Sequence, residues 1–398
     1  MDSFLPILYS CCFALAAFIA TWVIYAIILN IALRYNIVDQ PNERKLQRRP
    51  IPVLGGLTVF FGIAVGICGA ILIMGYSDLL PFFAAMVIML VVGVGDDIYD
   101  LSPMFRFIIE IAVSLYFIYV CGLTANDFHA LWGWHIIPEW AAIPLTIVSI
   151  VGIINAINLI DGVDGYSSGY CAMSSILFSV IFIMSDYYSM AVLALVTAGA
   201  AISFFLHNVF GKLSKMFIGD GGALMLGVIM VVFVLNILKD NSPCETLALD
   251  NMGLIPCTLA TLAIPVFDTI RVMVTRMIKL RSPFHPDKIH LHHLFIEAGF
   301  SHIGTTISIL IINLFVWLIW FAAYLLGASI NMQLYIVLAL GFGMTFVFYH
   351  YMNSQRKKDS RIYQIFKRIG DKTHIERKNF WQTMRDITDR EVKHHVQE

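Results

Sequence analysis

Charged residues are scarce in this sequence. They make up 13% of its 398 residues, against 59% hydrophobic residues, whereas a soluble domain averages about 25% charged residues. The seven cysteines show no C-x-x-C spacing, so neither a zinc ribbon nor a disulfide framework is indicated. A cleavable signal peptide is not expected, because the first apolar stretch begins at once, lacks a positively charged region and is long enough to span a bilayer. The composition therefore predicts a membrane protein.

Apolar runs of about 20 residues, the length that crosses a bilayer as a helix, recur along most of the chain. They predict an all-α, polytopic membrane protein with about eleven transmembrane helices. The predicted spans are residues 4–32, 54–74, 80–95, 104–122, 141–157, 166–184, 188–206, 222–238, 253–275, 305–327 and 331–351.

Lysine and arginine fall almost entirely on one side of this arrangement. Loops 33–53 and 207–221, segment 271–288 and the tail after residue 351 carry nearly all of them, whereas the alternate loops are almost bare. Because positively charged loops stay in the cytoplasm, we expect the N-terminus outside and the C-terminus inside. Loops 96–103 and 158–165 are then cytoplasmic as well.

Two regions are expected from this pattern, a transmembrane domain of residues 1–351 and a charged cytoplasmic tail of residues 352–398. Apolar residues of the tail recur at helical spacing, as in Ile362, Ile365, Phe366 and Ile369. This spacing favours one or two short amphipathic helices on the anionic inner leaflet, and a disordered tail is the alternative.

The first polar cluster, Gly93–Asp100, lies at a predicted cytoplasmic helix end. It places three carboxylates within five residues, and adjacent aspartates repel one another unless a cation or solvent relieves them. Mg²⁺ prefers oxygen ligands that it shares with substrate phosphates, so Asp96 and Asp97 are candidates for a metal site. An aspartate-rich turn that caps the next helix is the alternative.

The second cluster, Asn155–Gly165, directly follows a predicted span. Its spacing places Asn155, Asn158 and Asp161 near one face of a helix end, and its Asp-Gly pairs indicate turns. A surface lined with ligand-binding groups is favoured over a simple turn between helices.

The third cluster, Phe217–Gly222, precedes a predicted span. Glycines allow the backbone to approach a phosphate closely, and the start of a helix attracts anions. Asp220 at this point either holds a metal that bridges phosphates or only caps the helix.

Two basic segments complete the set. Segment 281–293 contains Arg281, His290, His292 and His293, whose positive charge near neutral pH would suit a nucleotide diphosphate with Mg²⁺. Zinc is the rival ligand there, but H-x-H-H lacks an acidic ligand at a standard spacing. Loop 41–56 carries basic residues that are either topology signals or part of a shaped anion site.

Ionisable residues inside predicted spans are functional candidates by default. Asp268 and Arg271 are one turn apart and have the alternative of pairing only with each other, and Arg106 and Glu110 have i, i+4 spacing with the same alternative. The remaining histidines that we considered fit packing or the membrane interface, and no role is assigned to them; they are His129, His135 and His350.

Taken in order, the five clusters resemble the polyprenyl-phosphate N-acetylhexosamine-1-phosphate transferase superfamily (glycosyltransferase family 4). The resemblance covers residues 41–294 and rests on PNxRKxxxxPIPxxGG, GxGDDxxD, NxxNLIDGxDG, FIGDGG and SPFxPDxxHxHH. The last motif is similar to that of bacterial enzymes that use UDP-N-acetylglucosamine. The peptidoglycan branch, which takes UDP-MurNAc-pentapeptide, usually has a different histidine-rich ending and TPTMGG, where this chain reads IPVLGG.

The resemblance implies transfer of N-acetylglucosamine-1-phosphate from UDP-GlcNAc to undecaprenyl phosphate with release of UMP, the first step of a lipid-linked cell-surface glycan. It implies a multi-pass protein of the bacterial inner membrane with a cytoplasmic active site, and Mg²⁺ or Mn²⁺ as cofactor. Another UDP-N-acetylhexosamine or UDP-MurNAc-pentapeptide is the alternative donor, and a secondary transporter is the alternative class. A homodimer would fit, and no nucleic-acid partner is expected.

Roles for individual residues also follow from the resemblance. Asp220 and Asp97 would bind the metal, and Asp96 or Asp97 would serve the acceptor phosphate, one of them as a base. Direct attack by the lipid phosphate and an aspartyl-linked intermediate both remain open. The implied catalytic residues are Asp96, Asp97, Asp220, His290, His292 and His293. The implied substrate-binding residues are Lys45 and Arg48 for a phosphate, Asn158 and Asp161 for the nucleotide, and Arg281 for the diphosphate or sugar.

Overall fold

The computed structural model describes residues 4–40, 50–282, 288–376 and 378–396 of the chain, and nearly all of their regular secondary structure is helical. The helices are α1 (Phe4–Arg34), α2 (Gly55–Met74), α3 (Leu80–Tyr99), α4 (Pro103–Tyr119), α5 (Glu139–Leu159), α6 (Tyr166–Met184), α7 (Tyr188–Phe210), α8 (Gly219–Leu238), α9 (Glu245–Leu249), α10 (Leu254–Thr261), α11 (Ala263–Ile278), α12 (Leu291–Glu297), α13 (His302–Leu325), α14 (Ile330–Phe342), α15 (Phe348–Lys357), α16 (Arg361–Asp371) and α17 (Asn379–Val396). A π-helical turn, Gly343–Val347, joins α14 to α15.

The prediction of an all-α, polytopic membrane protein is confirmed. In the described part of the chain, nine helices are long and apolar enough to cross a membrane, or up to ten if α10 and α11 form one bent span. The count is lower than the eleven predicted because α4, with 17 residues, is at the short limit for a membrane-spanning helix, and because α10 and α11 are separate helices. The sidedness of the two termini stays a prediction.

The predicted span 253–275 is broken at Leu262, where α10 and α11 meet at 78°. A broken helix inside a membrane is tolerated where protein groups satisfy the freed backbone. Here the side chain of Asn313 accepts from the Ile264 N–H at 3.0 Å and donates to the Thr261 carbonyl at 3.1 Å. The hydroxyl of Tyr170 donates to the same carbonyl at 2.8 Å. The break in this helix is therefore stabilised by hydrogen bonds from neighbouring helices.

Helix α8 lies at the centre of the bundle. Every residue of α8 except Asp220 is buried, and α2, α3 and α5 pack against it. A helix that is apolar on all sides is expected in such a position. Two glycines let neighbouring helices approach its first turn, since a Cβ at Gly56 would lie 2.3 Å from the Gly222 nitrogen and one at Gly93 would lie 2.5 Å from the Asp220 carbonyl carbon.

A short antiparallel ladder pairs β1 (Val38–Asp39) with β2 (Ile51–Pro52), with Val38 opposite Pro52. The Pro52 carbonyl accepts from the Phe217 N–H at 2.8 Å, and the N–H groups of Gly55 and Gly56 donate to the carbonyls of residues 217 and 218. The start of α2 is thereby hydrogen-bonded to the segment that leads into α8.

The tail after residue 352 contains α16 and α17, which fold back onto the membrane domain. Helix α17 contacts α7 and α1, and the ring of Trp381 lies 4.6 Å from that of Phe210. The contact of these helices with lipid stays a prediction.

Candidate active site

A cavity of about 1020 Å³ opens where α3, α5 and α7 end and α8 begins. Its walls bring together distant parts of the sequence. The predicted site residues that line it are Asp96, Asp97, Asn158, Asp161, Asp220, His290, His292 and His293.

The first turn of α8 is held by Asp97 from α3. Its carboxylate accepts from the backbone N–H of Asp220 at 3.0 Å and from that of Gly221 at 3.2 Å. Gly219 precedes them at φ +73°, a conformation that favours glycine. Since the cap of this helix comes from Asp97, the side chain of Asp220 is not the cap and points to other partners.

Those partners come from α5 and α4. The amide of Asn158 donates to Asp220 Oδ1 at 2.6 Å, and Arg106 Nη1 lies 3.5 Å from Asp220 Oδ2. The motifs around residues 96, 158 and 220 therefore meet at one point. This convergence is the central feature of the site.

Arg106 is a site residue to which the sequence assigned no specific role. Its Nη1 lies 2.5 Å from Asp96 Oδ2, so Asp96 and Asp220 share one guanidinium. Glu110, the i, i+4 neighbour of Arg106, instead accepts from the Asn155 amide at 2.6 Å. Helical spacing alone could not reveal this, because Asp96 and Arg106 lie on different helices.

Asp161 adds a third carboxylate near Asp97 and Asp220. Burial raises its pKa to about 7; the hydrogen bond from Ser167 opposes the shift, and the charges of Asp220, Asp164 and Asp39 add to it. The Ser167 hydroxyl lies 2.5 Å from Asp161 Oδ1. Several carboxylates therefore face one cavity in surroundings that penalise negative charge, which favours a cation.

A second polar group in the cavity was predicted only in part, because Asp164 belongs to the cluster Asn155–Gly165, whereas Lys215 and His302 were not assigned to the site. Asp164 Oδ2 lies 2.6 Å from Lys215 Nζ and 2.8 Å from His302 Nδ1. Burial would raise the pKa of Asp164, but the hydrogen bond and charge of His302, together with Lys215, outweigh it and hold the pKa below its usual value. The Asp-Gly pair at 164–165 was a possible signal for Asp164, whereas nothing in the sequence connects it to Lys215 or His302.

The histidine motif is held by the ion pair of α11. Asp268 Oδ1 accepts from Arg271 Nη2 at 2.7 Å, so these residues do pair with each other. Asp268 Oδ2 lies 3.0 Å from His290 Nδ1 and accepts from the Leu291 N–H at 3.1 Å. The pair therefore also orients the first histidine of the motif.

His292 lies in the same wall, with its ring 5.8 Å from that of His290 and 4.2 Å from that of His293. Burial, and then the neighbouring rings of His293 and His290, lower the pKa of His292 well below its usual value. His292 thus offers a neutral ring to the cavity, and positive charge must come from other residues.

One predicted substrate-binding residue does not line this cavity, and two others fall outside the described part of the chain. Arg281 is exposed and does not line it, whereas Arg276, one turn earlier, does. Lys45 and Arg48 lie outside the described residues, and so does His285 of the histidine motif.

The oxygen-rich wall fits a hard divalent cation. Within the described ranges, the group of three His and carboxylate residues at metal-ligand spacing is Asp127, His129 and Glu245, at the opposite end of the bundle, where Glu245 begins α9. The cavity thus offers a cation a pair such as Asp97 and Asp220 rather than a complete cage. Mg²⁺ is typically held by one or two carboxylates together with substrate phosphates and water.

Comparison with known proteins shows the family of this chain. The model for glycosyl transferase family 4 matches residues 79–238. A probable undecaprenyl-phosphate N-acetylglucosaminyl 1-phosphate transferase of Bacillus subtilis is 30% identical over 327 residues, 80% of this chain and 85% of that protein. The undecaprenyl-phosphate alpha-N-acetylglucosaminyl 1-phosphate transferase of Yersinia pestis is 28% identical over 280 residues, 68% of this chain and 73% of that protein.

The chain therefore belongs to glycosyl transferase family 4, among the polyprenyl-phosphate hexosamine-1-phosphate transferases. It is a multi-pass membrane phosphotransferase.

Proposed function

We propose that this protein transfers N-acetylglucosamine-1-phosphate from UDP-GlcNAc to undecaprenyl phosphate and releases UMP. The observation that carries the proposal is the meeting of Asp97, Asn158 and Asp220 at the start of α8, facing the large cavity. The printed names of the relatives in Bacillus subtilis and Yersinia pestis support the same donor sugar and acceptor lipid.

The reaction needs alignment and charge neutralisation more than covalent help from the protein. An oxygen of the lipid phosphate forms a bond to the β-phosphorus of UDP-GlcNAc, and the bond from that phosphorus to the bridging oxygen breaks. UMP leaves with the electron pair of that bond, and the lipid keeps the sugar on a diphosphate.

Asp220 and Asp97 are the residues that would hold Mg²⁺, with Mn²⁺ as a substitute. The bound ion would neutralise charge on the diphosphate. Asn158 orients Asp220 through its 2.6 Å hydrogen bond, and Arg106 places a guanidinium between Asp96 and Asp220. Arg276 and Lys215, which also line the cavity, supply further positive charge for the donor.

We place the protein in the bacterial inner membrane with this cavity on the cytoplasmic side. The segments around the cavity, such as 207–221 and the tail, are those rich in lysine and arginine, which favours a cytoplasmic position. The polar groups of the cavity lie at one end of the bundle, whereas transporters place their binding sites near the midplane. That difference favours an enzyme over a transporter.

The test is incubation of the purified protein with radiolabelled UDP-GlcNAc, undecaprenyl phosphate and Mg²⁺. We expect release of UMP and an equal amount of label in the lipid extract. Unlabelled UDP-GlcNAc should compete, and UDP-GalNAc or UDP-MurNAc-pentapeptide should compete weakly. Strong competition by one of these nucleotides would assign that nucleotide as the donor in place of UDP-GlcNAc. The absence of lipid-bound label would reject the proposed function.

A further inference from the structure

The C-terminal tail touches the wall of the cavity at two points far apart in the sequence. The first is Asp389 on α17, which is 3% exposed. Its carboxylate accepts from the backbone N–H groups of Lys212 (3.1 Å), Leu213 (3.1 Å) and Ser214 (2.9 Å), and from the Ser214 hydroxyl at 2.9 Å. Hydrogen bonds to an ionised carboxylate are roughly twice as strong as neutral ones, so this contact fixes the loop between α7 and α8.

The second contact is made by Thr373, just after α16. Its Oγ1 accepts from the Ser301 N–H at 2.8 Å, and the Ser301 hydroxyl donates to the Thr373 carbonyl at 2.8 Å. Ser301 is also the N-cap of α13, accepting from the Gly304 N–H at 3.1 Å. The tail therefore fixes the start of α13 as well.

Each of these two segments is followed directly by a residue whose side chain contacts Asp164. Lys215 follows the loop that Asp389 binds, and its Nζ lies 2.6 Å from Asp164 Oδ2. His302 follows Ser301, and its Nδ1 lies 2.8 Å from the same oxygen. The tail therefore contacts both segments that position the side chains around Asp164.

The tail also forms part of the wall itself. Among the residues that line the cavity are four from the tail: His374, Glu376, Trp381 and Arg385. This wall carries charged side chains. It is built by Asp164 and Lys215 in connecting loops, by His302 at the very start of α13 and by tail residues. It suits the water-soluble nucleotide donor better than an acceptor that arrives from the bilayer with a long apolar chain.

We propose that the tail is part of the donor site and that Asp389 and Thr373 are positioning residues for the UDP-sugar. This inference rests on the proposed function. Asp389 and Thr373 act through Lys215 and His302, whose placement around Asp164 shapes the wall that the donor contacts. Loss of either contact should weaken donor binding and leave the chemical step and acceptor binding intact.

The test measures kcat, the KM for UDP-GlcNAc and the KM for undecaprenyl phosphate in the full-length chain. Asp389→Ala is compared with Asp386→Ala, since Asp386 is an exposed carboxylate on the same helix. We expect Asp389→Ala to raise the donor KM about tenfold, with kcat and the acceptor KM within about twofold of wild type. Asp386→Ala should match wild type, and Asp389→Asn, which keeps one acceptor oxygen, should lie between.

A purely structural role would instead lower the melting temperature and kcat without changing the donor KM, and that result overturns the inference. Thr373→Val removes the hydroxyl that accepts from the Ser301 N–H but keeps the carbonyl that accepts from the Ser301 hydroxyl. It therefore weakens the second contact alone and gives a milder form of the same test if Asp389→Ala does not fold. An unchanged donor KM in Thr373→Val and Asp389→Asn would likewise overturn it. If the wild-type protein does not transfer the sugar phosphate, the proposed function is rejected, and the inference about the tail with it. If the wild-type protein transfers it and the variants keep the wild-type donor KM, only the inference about the tail is rejected.

Discussion

The carboxylate of Asp97 accepts a hydrogen bond from the backbone N–H of Asp220 at 3.0 Å, so one acidic residue of the site holds the main chain of another. The two residues are 123 positions apart in the sequence. Because Asp97 caps the helix, the side chain of Asp220 is left free to meet Asn158 and Arg106. The position of the proposed metal ligand therefore depends on the α3–α8 contact.

Substitutions at Asp97 should separate its capping role from its charge. Asp97→Asn keeps one acceptor oxygen for the helix start but removes the charge, so we expect a stable protein with little transfer activity. Asp97→Ala removes the cap as well and should cost about 1 kcal/mol more in stability. Thermal unfolding in detergent, alongside the transfer assay, measures both effects. High activity in Asp97→Asn would show that its charge is not required.

The close approach of α3 to α8 gives a second prediction. A Cβ at Gly93 would lie 2.5 Å from the backbone of Asp220, whereas one at Gly95, two residues later in the same helix, would lie 3.5 Å from the Leu101 side chain. Gly93→Ala should therefore cost about 1–3 kcal/mol of stability through overpacking and lower activity, while Gly95→Ala should resemble wild type. Equal melting temperatures and rates for the two variants would contradict the packing described here.

Arg106 and Asp96 should behave as a coupled pair. Arg106→Ala leaves the buried carboxylate of Asp96 without its partner at 2.5 Å, and breaking such a pair from one side costs about 3 kcal/mol. Removing Asp96 as well should recover part of that loss, because the buried carboxylate that lies closest to Arg106 is then absent, although Asp220 still loses its guanidinium partner. A double-mutant cycle of thermal stabilities measures the coupling. Additive effects of the two substitutions would show that the pair is not coupled.

The pKa of Asp161 predicts how stability changes with pH. Burial raises this pKa from 3.8 to about 7, so between these values the folded protein binds the proton more tightly than the unfolded chain does. The contribution of Asp161 to the free energy of unfolding is therefore present at low pH and decreases as the pH rises towards 7. Without added Mg²⁺, the melting temperature of wild type should drop more between pH 5 and pH 8 than that of Asp161→Asn. Parallel curves for the two proteins would rule out the raised pKa.

The sequence was sufficient to predict the fold class, because apolar runs of spanning length need no tertiary information. It also indicated the residues that meet at the start of α8, since Asp97, Asn158 and Asp220 each sit in a polar motif at a helix end. Their mutual hydrogen bonds were not predictable, because they join α3, α5 and α8.

Other features depend wholly on tertiary contacts. The break at Leu262 is stabilised by Asn313, which accepts a hydrogen bond from the Ile264 N–H and lies 49 residues further along the chain. Because this partner is distant in sequence, hydropathy shows only one apolar run. The partners of Asp164 come from segments 51 and 138 residues away. The docking of Asp389 on the loop after α7 likewise has no local signal, because Asp386, three residues earlier on the same helix, is an exposed carboxylate.

The most direct test of the central claim is the transfer rate of Asp220→Ala at saturating UDP-GlcNAc, undecaprenyl phosphate and Mg²⁺. Asp250→Ala, an exposed carboxylate in a loop at the other end of the bundle, is the matched control. We predict that Asp220→Ala inserts and unfolds like wild type but loses activity by about 100-fold or more, while Asp250→Ala keeps it. A folded Asp220→Ala protein with near wild-type turnover would contradict the account.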